Sequence, residues 1–112
     1  MRENISKILK TLPREKAFYF FTSIGNYTGE SASSLKEFLE KINGVNVKSL
    51  EFHLYRGDFE KWVAEVLEDK ELAEEFRRVQ KISLAGDALR NKLYATVSRH
   101  YGNLINRATF AI

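Results

Sequence analysis

Cysteine is missing altogether from the 112 residues, and proline, tryptophan and methionine occur once each. Without a thiol there is no disulfide, no thiolate nucleophile and no cysteine-ligated zinc or iron–sulfur centre. Long apolar runs are missing too. The longest, Ala17 to Phe21, is far short of the roughly 20 residues that cross a bilayer. The first residues hold a mixture of charges rather than an apolar secretory core, so a soluble, cytoplasmic protein with no membrane partner is expected. Nor is there a strong excess of one charge. Eighteen Lys and Arg oppose fifteen Asp and Glu, a net +3 that identifies no partner by itself. A cysteine-free chain that is 29% charged suits a hot-growing organism.

What is present reads as helix. Residues 1 to 12 place Ile5, Ile8, Leu9 and Leu12 on one stripe, with Asn4 as cap, which predicts a short amphipathic helix. That helix is a candidate docking or oligomerisation element within a single domain spanning 1–112. Pro13 then suits a helix start capped by Thr11. The block Ala17-Phe18-Tyr19-Phe20-Phe21 fits either a buried helix or a central strand, and helix is preferred because no partner strand is evident. Gly25 to Ser31 reads as a loop, rich in residues with permissive backbones.

Further on, Ser34 and Glu37 form a capping-box pattern ahead of Leu35, Phe38, Leu39 and Ile42, and Gly44 is expected to close that helix in the left-handed conformation. A helix from Asn46 carries Val47, Leu50 and Leu54 inward, with Phe52 and Tyr55 adjoining, and Gly57 ends it. Asp58 is expected to cap the next helix through Phe59, Trp62, Val63, Val66 and Leu67. Asp69 begins another, with Leu72, Ala73, Phe76 and Val79 inward. From about Ser83 a longer helix carries Leu89, Leu93, Val97 and Tyr101, and Gly102 is expected to end it. The sum is an all-α fold, a compact orthogonal or irregular bundle of about six short helices.

Chemistry has few carriers. Neither His53 nor His100 has a second ligand at metal-site spacing, no His-Glu-x-x-His occurs, and no Gly-Lys-Ser/Thr ending turns the glycines into a phosphate loop. No metal and no cofactor are therefore expected. An imidazole titrates near neutrality, so His53 and Asp58 are the candidates for catalysis, with Glu51 nearby. The structural alternative is a neutral core histidine bonded to a carbonyl or to Asp58. Trp62 fits core packing better than a ligand-facing wall.

Charge is segregated along the chain. Residues 58 to 75 hold eight acidic and two basic side chains; residues 76 to 112 hold seven basic and one acidic. The two segments can neutralise each other across helices. Alternatively Arg77, Arg78, Lys81, Arg90, Lys92, Arg99 and Arg107 make an exposed basic face for nucleic acid, although no helix-turn-helix is apparent.

The run from Ser49 to Leu72, with Ser49, Phe52, His53, Asp58, Phe59, Trp62, Asp69, Leu72 and Ala73, resembles an uncharacterised family of small prokaryotic, mainly archaeal, helical domains of unknown function. Phe18-Tyr19-Phe20, Thr28-Gly29 and Ser34-Leu35 resemble its first half, so the likeness covers most of residues 16 to 100. It implies a small helical module, sometimes joined to larger proteins, and supplies no reaction. Scarce catalytic residues beside 44% apolar ones point to a non-catalytic module that binds a protein partner or itself. Nucleic-acid binding and a small enzyme built on His53 are the alternatives.

Overall fold

A computed structural model describes residues 5–110, so the expected cap Asn4 lies outside the described residues. The described chain holds six α-helices and one antiparallel hairpin: α1 Ile5–Leu9, β1 Phe18–Ser23, β2 Asn26–Ala32, α2 Leu35–Ile42, α3 Val47–Arg56, α4 Asp58–Glu65, α5 Lys70–Ile82 and α6 Gly86–Phe110. The fold is thus mixed, with helices and a two-stranded sheet, and the all-α expectation is corrected.

The hairpin is the source of that correction. Phe18 pairs with Ala32, Tyr19 with Ser31 and Phe21 with Tyr27, around a turn in which Gly25 takes φ +82°. Phe18 and Phe20 point into the core, as alternation along a strand requires. Tyr19 and Phe21, on the other face, pack against Tyr27 at 5.9 and 5.3 Å between ring centroids. Both faces therefore carry aromatics, and the block shows no polar–apolar alternation. The partner strand, expected to be a loop, is polar because it buries only Ala32. Its irregularity is stabilised by Thr28, whose hydroxyl donates to Phe20 O at 2.7 Å and accepts from Glu30 N–H at 3.0 Å.

Pro13 accounts for two more differences at the start of the chain. The residue before a proline is pushed out of the helical region, so α1 stops at Leu9 instead of reaching residue 12. Pro13 itself is extended (φ −70°, ψ 163°) and leads only into a single 3₁₀ turn, Arg14–Lys16, in place of the expected helix. Leu12 N–H donates to Ser33 O at 2.6 Å, which ties this segment to the end of β2.

The helices follow their caps. Ser34 Oγ accepts from Glu37 N–H at 3.1 Å, while the Glu37 carboxylate reaches back to Ser33 N–H at 2.7 Å. Gly44 is not left-handed, contrary to expectation, and its N–H returns to Lys41 O at 2.9 Å. The last carbonyls of this corner, Ile42 O and Val45 O, instead accept from Arg90 at 2.7 and 2.9 Å. Asn46 caps α3 through Lys48 N–H, and Asp69 caps α5 through Leu72 N–H. Ser83 sits at φ +62° as the terminator of α5, so α6 begins later, at Gly86. Gly102 lies inside α6 and does not end it, because helix propagation continues on either side of one glycine at a cost of only about 1 kcal/mol.

One core unites these elements. Phe38 sits centrally, 5.8 Å from Phe18, 5.1 Å from Phe59 and 5.3 Å from Trp62, mostly in tilted or edge-on contacts. Such pairs add about 0.5–1.5 kcal/mol each beyond area burial. α3 is less buried than expected, since Tyr55 is exposed and Phe52 half-buried. Among the described residues no helix is long and apolar enough to cross a membrane.

Candidate functional site

The site begins at the joint between α3 and α4. Gly57 alone separates the two helices and is left-handed at φ +83°, where a side chain would be strained. It ends α3 as expected, but it also takes the cap position of α4. Asp58 is therefore the first helical residue, makes no capping bond, and is free to turn toward α3. The expected helix cap is corrected on this point: Asp58 Oδ2 lies 2.7 Å from His53 Nδ1 and 3.3 Å from Arg56 Nε.

His53 is buried at 5% exposure, with Phe18, Phe52 and Phe59 around it at 4.8, 4.9 and 5.7 Å. Its other nitrogen, Nε2, accepts the backbone N–H of Phe21 at 2.8 Å. An N–H can only donate, so Nε2 carries the lone pair and Nδ1 carries the proton given to Asp58. Two partners thus define one neutral tautomer. Burial holds the His53 pKa below its ordinary value; the hydrogen bond to Asp58 and that carboxylate's charge oppose the shift, and the Arg56 charge adds to it. The Phe21 bond also ties β1 to α3.

A cleft of about 590 Å³ opens beside this pair, between β1, α3 and α4. Phe18, Phe21, Phe52, Trp62 and Val66 supply apolar wall, and Ile24, Arg56, Lys61 and Glu65 stand at its edge. Trp62 belongs both to the core, at 7% exposure, and to this wall. Its indole N–H is spent on Lys16 O at 2.9 Å, so it offers the cleft ring surface only. Chemically the cleft can enclose an apolar body. It offers no ready proton acceptor on His53, because both ring nitrogens are occupied.

The other sequence candidates lie elsewhere. Glu51 accepts Gly86 N–H at 2.7 Å, placing a carboxylate at the positive end of α6. His100 does not join His53. It is buried against Asp69, Nε2 to Oδ2 at 2.6 Å, while Glu71 lies 3.8 Å from Nδ1. Among the described residues no three His, Asp or Glu side chains converge as metal ligands would. Of the seven basic residues, Arg77 meets Glu60 and Glu74, Arg78 and Arg99 meet Glu75, Arg107 meets Glu71, and Arg90 is committed to backbone carbonyls. Lys81 and Lys92 make no ion pair among the described residues.

Sequence reasoning missed Arg56, Lys61, Glu65 and Phe21 as parts of a site. Arg56 had a readable signal, since it stands four residues after Phe52 on α3 and its guanidinium lies 4.8 Å over that ring. Phe21 had none, because its role depends on the strand edge.

Residues 13–109 match the family of unknown function DUF5752, and the chain belongs to that family. No curated protein and no solved structure matches it.

Proposed function

We propose that this member of the family is a non-catalytic binding module whose binding site is the cleft between β1, α3 and α4. One observation carries the reading. The cleft combines aromatic walls and a volume of about 590 Å³ with a histidine whose two nitrogens are already bonded. A volume in this range, mostly apolar with a few convergent polar groups, suits a ligand. To act as a base, His53 would have to release Phe21 N–H and accept a proton in a buried, aromatic setting.

The test is nuclear magnetic resonance titration of the isotope-labelled chain with small aromatic and aliphatic fragments. Binding fragments are expected to shift the resonances of Phe21, Arg56, Lys61 and Val66. Val66→Trp, which fills the cleft from its wall, is expected to abolish those shifts. Fragments that bind only elsewhere, or chemical turnover of a bound fragment, would contradict the reading.

Self-association is a second reading, favoured by Ile24, which is 84% exposed at the hairpin tip beside the half-exposed Tyr27. Light scattering at twice the chain's 13.0 kDa, lost on Ile24→Asp, would support it. A strict monomer would remove it. Nucleic acid has less support as a partner, because five of the seven basic side chains are tied to carboxylates or carbonyls within the fold.

A further inference from the structure

Resting on the cleft as a binding site, we propose that its ligand is a small amphipathic carboxylic acid, with its apolar body among Phe21, Phe52 and Trp62 and its carboxylate on Arg56 and Lys61. The argument starts at Arg56. Asp58 holds its Nε at 3.3 Å, and its guanidinium carbon stands 4.8 Å over the Phe52 ring. Two restraints on one planar group set its orientation. Its two terminal nitrogens make no hydrogen bond among the described residues, and such a fork matches the two oxygens of a carboxylate. Lys61, one turn into α4, lines the same cleft, is exposed, and makes no ion pair among the described residues.

The acidic groups narrow the charge of the ligand. Asp58 and Glu65 also line the cleft, so its four charged side chains sum to zero. Asp58 is committed through Oδ2 to both His53 and Arg56, which leaves its charge beside the guanidinium. A dianion such as a phosphate monoester would meet that carboxylate at short range, whereas a single negative charge shared between Arg56 and Lys61 would not outweigh them. A cation is disfavoured by the same two basic groups. Aromatic walls and a volume of about 590 Å³ suit a flat ring system carrying one acidic arm.

Three probes of one shape and different charge test this: indole-3-acetate, its neutral isostere indole-3-acetamide, and tryptamine, each titrated calorimetrically into the full chain. The acetate is expected to bind at least about tenfold more tightly than the acetamide, with tryptamine weakest, and added salt is expected to narrow the gap. Arg56→Gln and Lys61→Gln should each pull the acetate-to-acetamide ratio toward one. Glu65→Gln should widen it. Lys61 is exposed, so its variant remains informative if Arg56→Gln destabilises the fold, which thermal melting reports. Equal affinities for all three probes, or tryptamine binding best, would overturn the acid assignment and leave the cleft reading standing. No binding of any probe would overturn the acid assignment, and binding that survives Val66→Trp would overturn both.

Discussion

Asp69 and His100, 31 residues apart in sequence, are joined by a 2.6 Å hydrogen bond between Oδ2 and Nε2, and the other oxygen of Asp69 caps α5 at Leu72 N–H. One carboxylate therefore starts a helix and anchors the longest helix of the fold to it. Both residues are buried, Asp69 at 3% and His100 at 7% exposure. Asp69→Ala removes a cap and orphans a buried ring nitrogen. It is expected to cost about 3 kcal/mol in urea denaturation, about 1 from the cap and the rest from the histidine. In a double-mutant cycle with His100→Phe the two losses should be clearly less than additive. Full additivity would show that the bond couples nothing.

Acid should loosen the fold through His53. Its pKa is held low by burial, so below the ordinary histidine value of about 6.5 the unfolded chain takes up a proton that the folded chain refuses. Stability therefore falls as pH drops from about 6.5 toward the folded pKa and levels off below it. Thermal melting of the protein between pH 7.5 and 5 should show this decline, and His53→Gln should flatten it. Equal slopes in both proteins would refute the assignment.

Two glycines should respond in opposite directions to the same change. At Gly57 there is open space for a Cβ, yet φ is +83°, so Gly57→Ala is expected to cost about 1–2 kcal/mol through backbone strain alone. At Gly102 the space is equally open and the backbone is helical, so Gly102→Ala is expected to add about 0.5–1 kcal/mol. Chemical denaturation of both variants checks the pair.

Trp62 combines a packing role with a hydrogen bond to Lys16 O, which phenylalanine has no donor to replace. Trp62→Phe is expected to cost about 2 kcal/mol, from the unpaired carbonyl and the smaller ring. As the only tryptophan, lining the cleft, Trp62 should also report ligand entry through its fluorescence. A saturable emission change that Val66→Trp confuses can be confirmed by calorimetry.

The helices were legible wherever a local chemical signal started them. Ser34 with Glu37, Asn46, and Asp69 each cap as their sequence positions imply, and Leu89, Leu93 and Val97 are all buried on α6. The hairpin was not legible, because neither strand alternates cleanly between polar and apolar residues. Phe18–Phe21 is aromatic on both faces, and Asn26–Ala32 carries a glycine at φ +87° among polar residues. Asp58 was misread for a related reason. An aspartate at a helix start usually caps, and only the single-residue joint at Gly57 turns it back to His53. The pairing of His53 with Asp58 was among the readings the sequence allowed, whereas its second partner, Phe21 N–H, depends on a strand edge that sequence did not reveal.

The joint at Gly57 also stands between two walls of the cleft. The cleft has one jaw on α3, with Phe52 and Arg56, and the other on α4, with Lys61, Trp62 and Glu65. A lone glycine stands between the jaws, and Asp58 braces across it to both His53 and Arg56. Removing the carboxylate takes that brace away, whereas a proton added to the imidazole goes to Nε2 and parts His53 from Phe21 of β1, the third wall of the cleft.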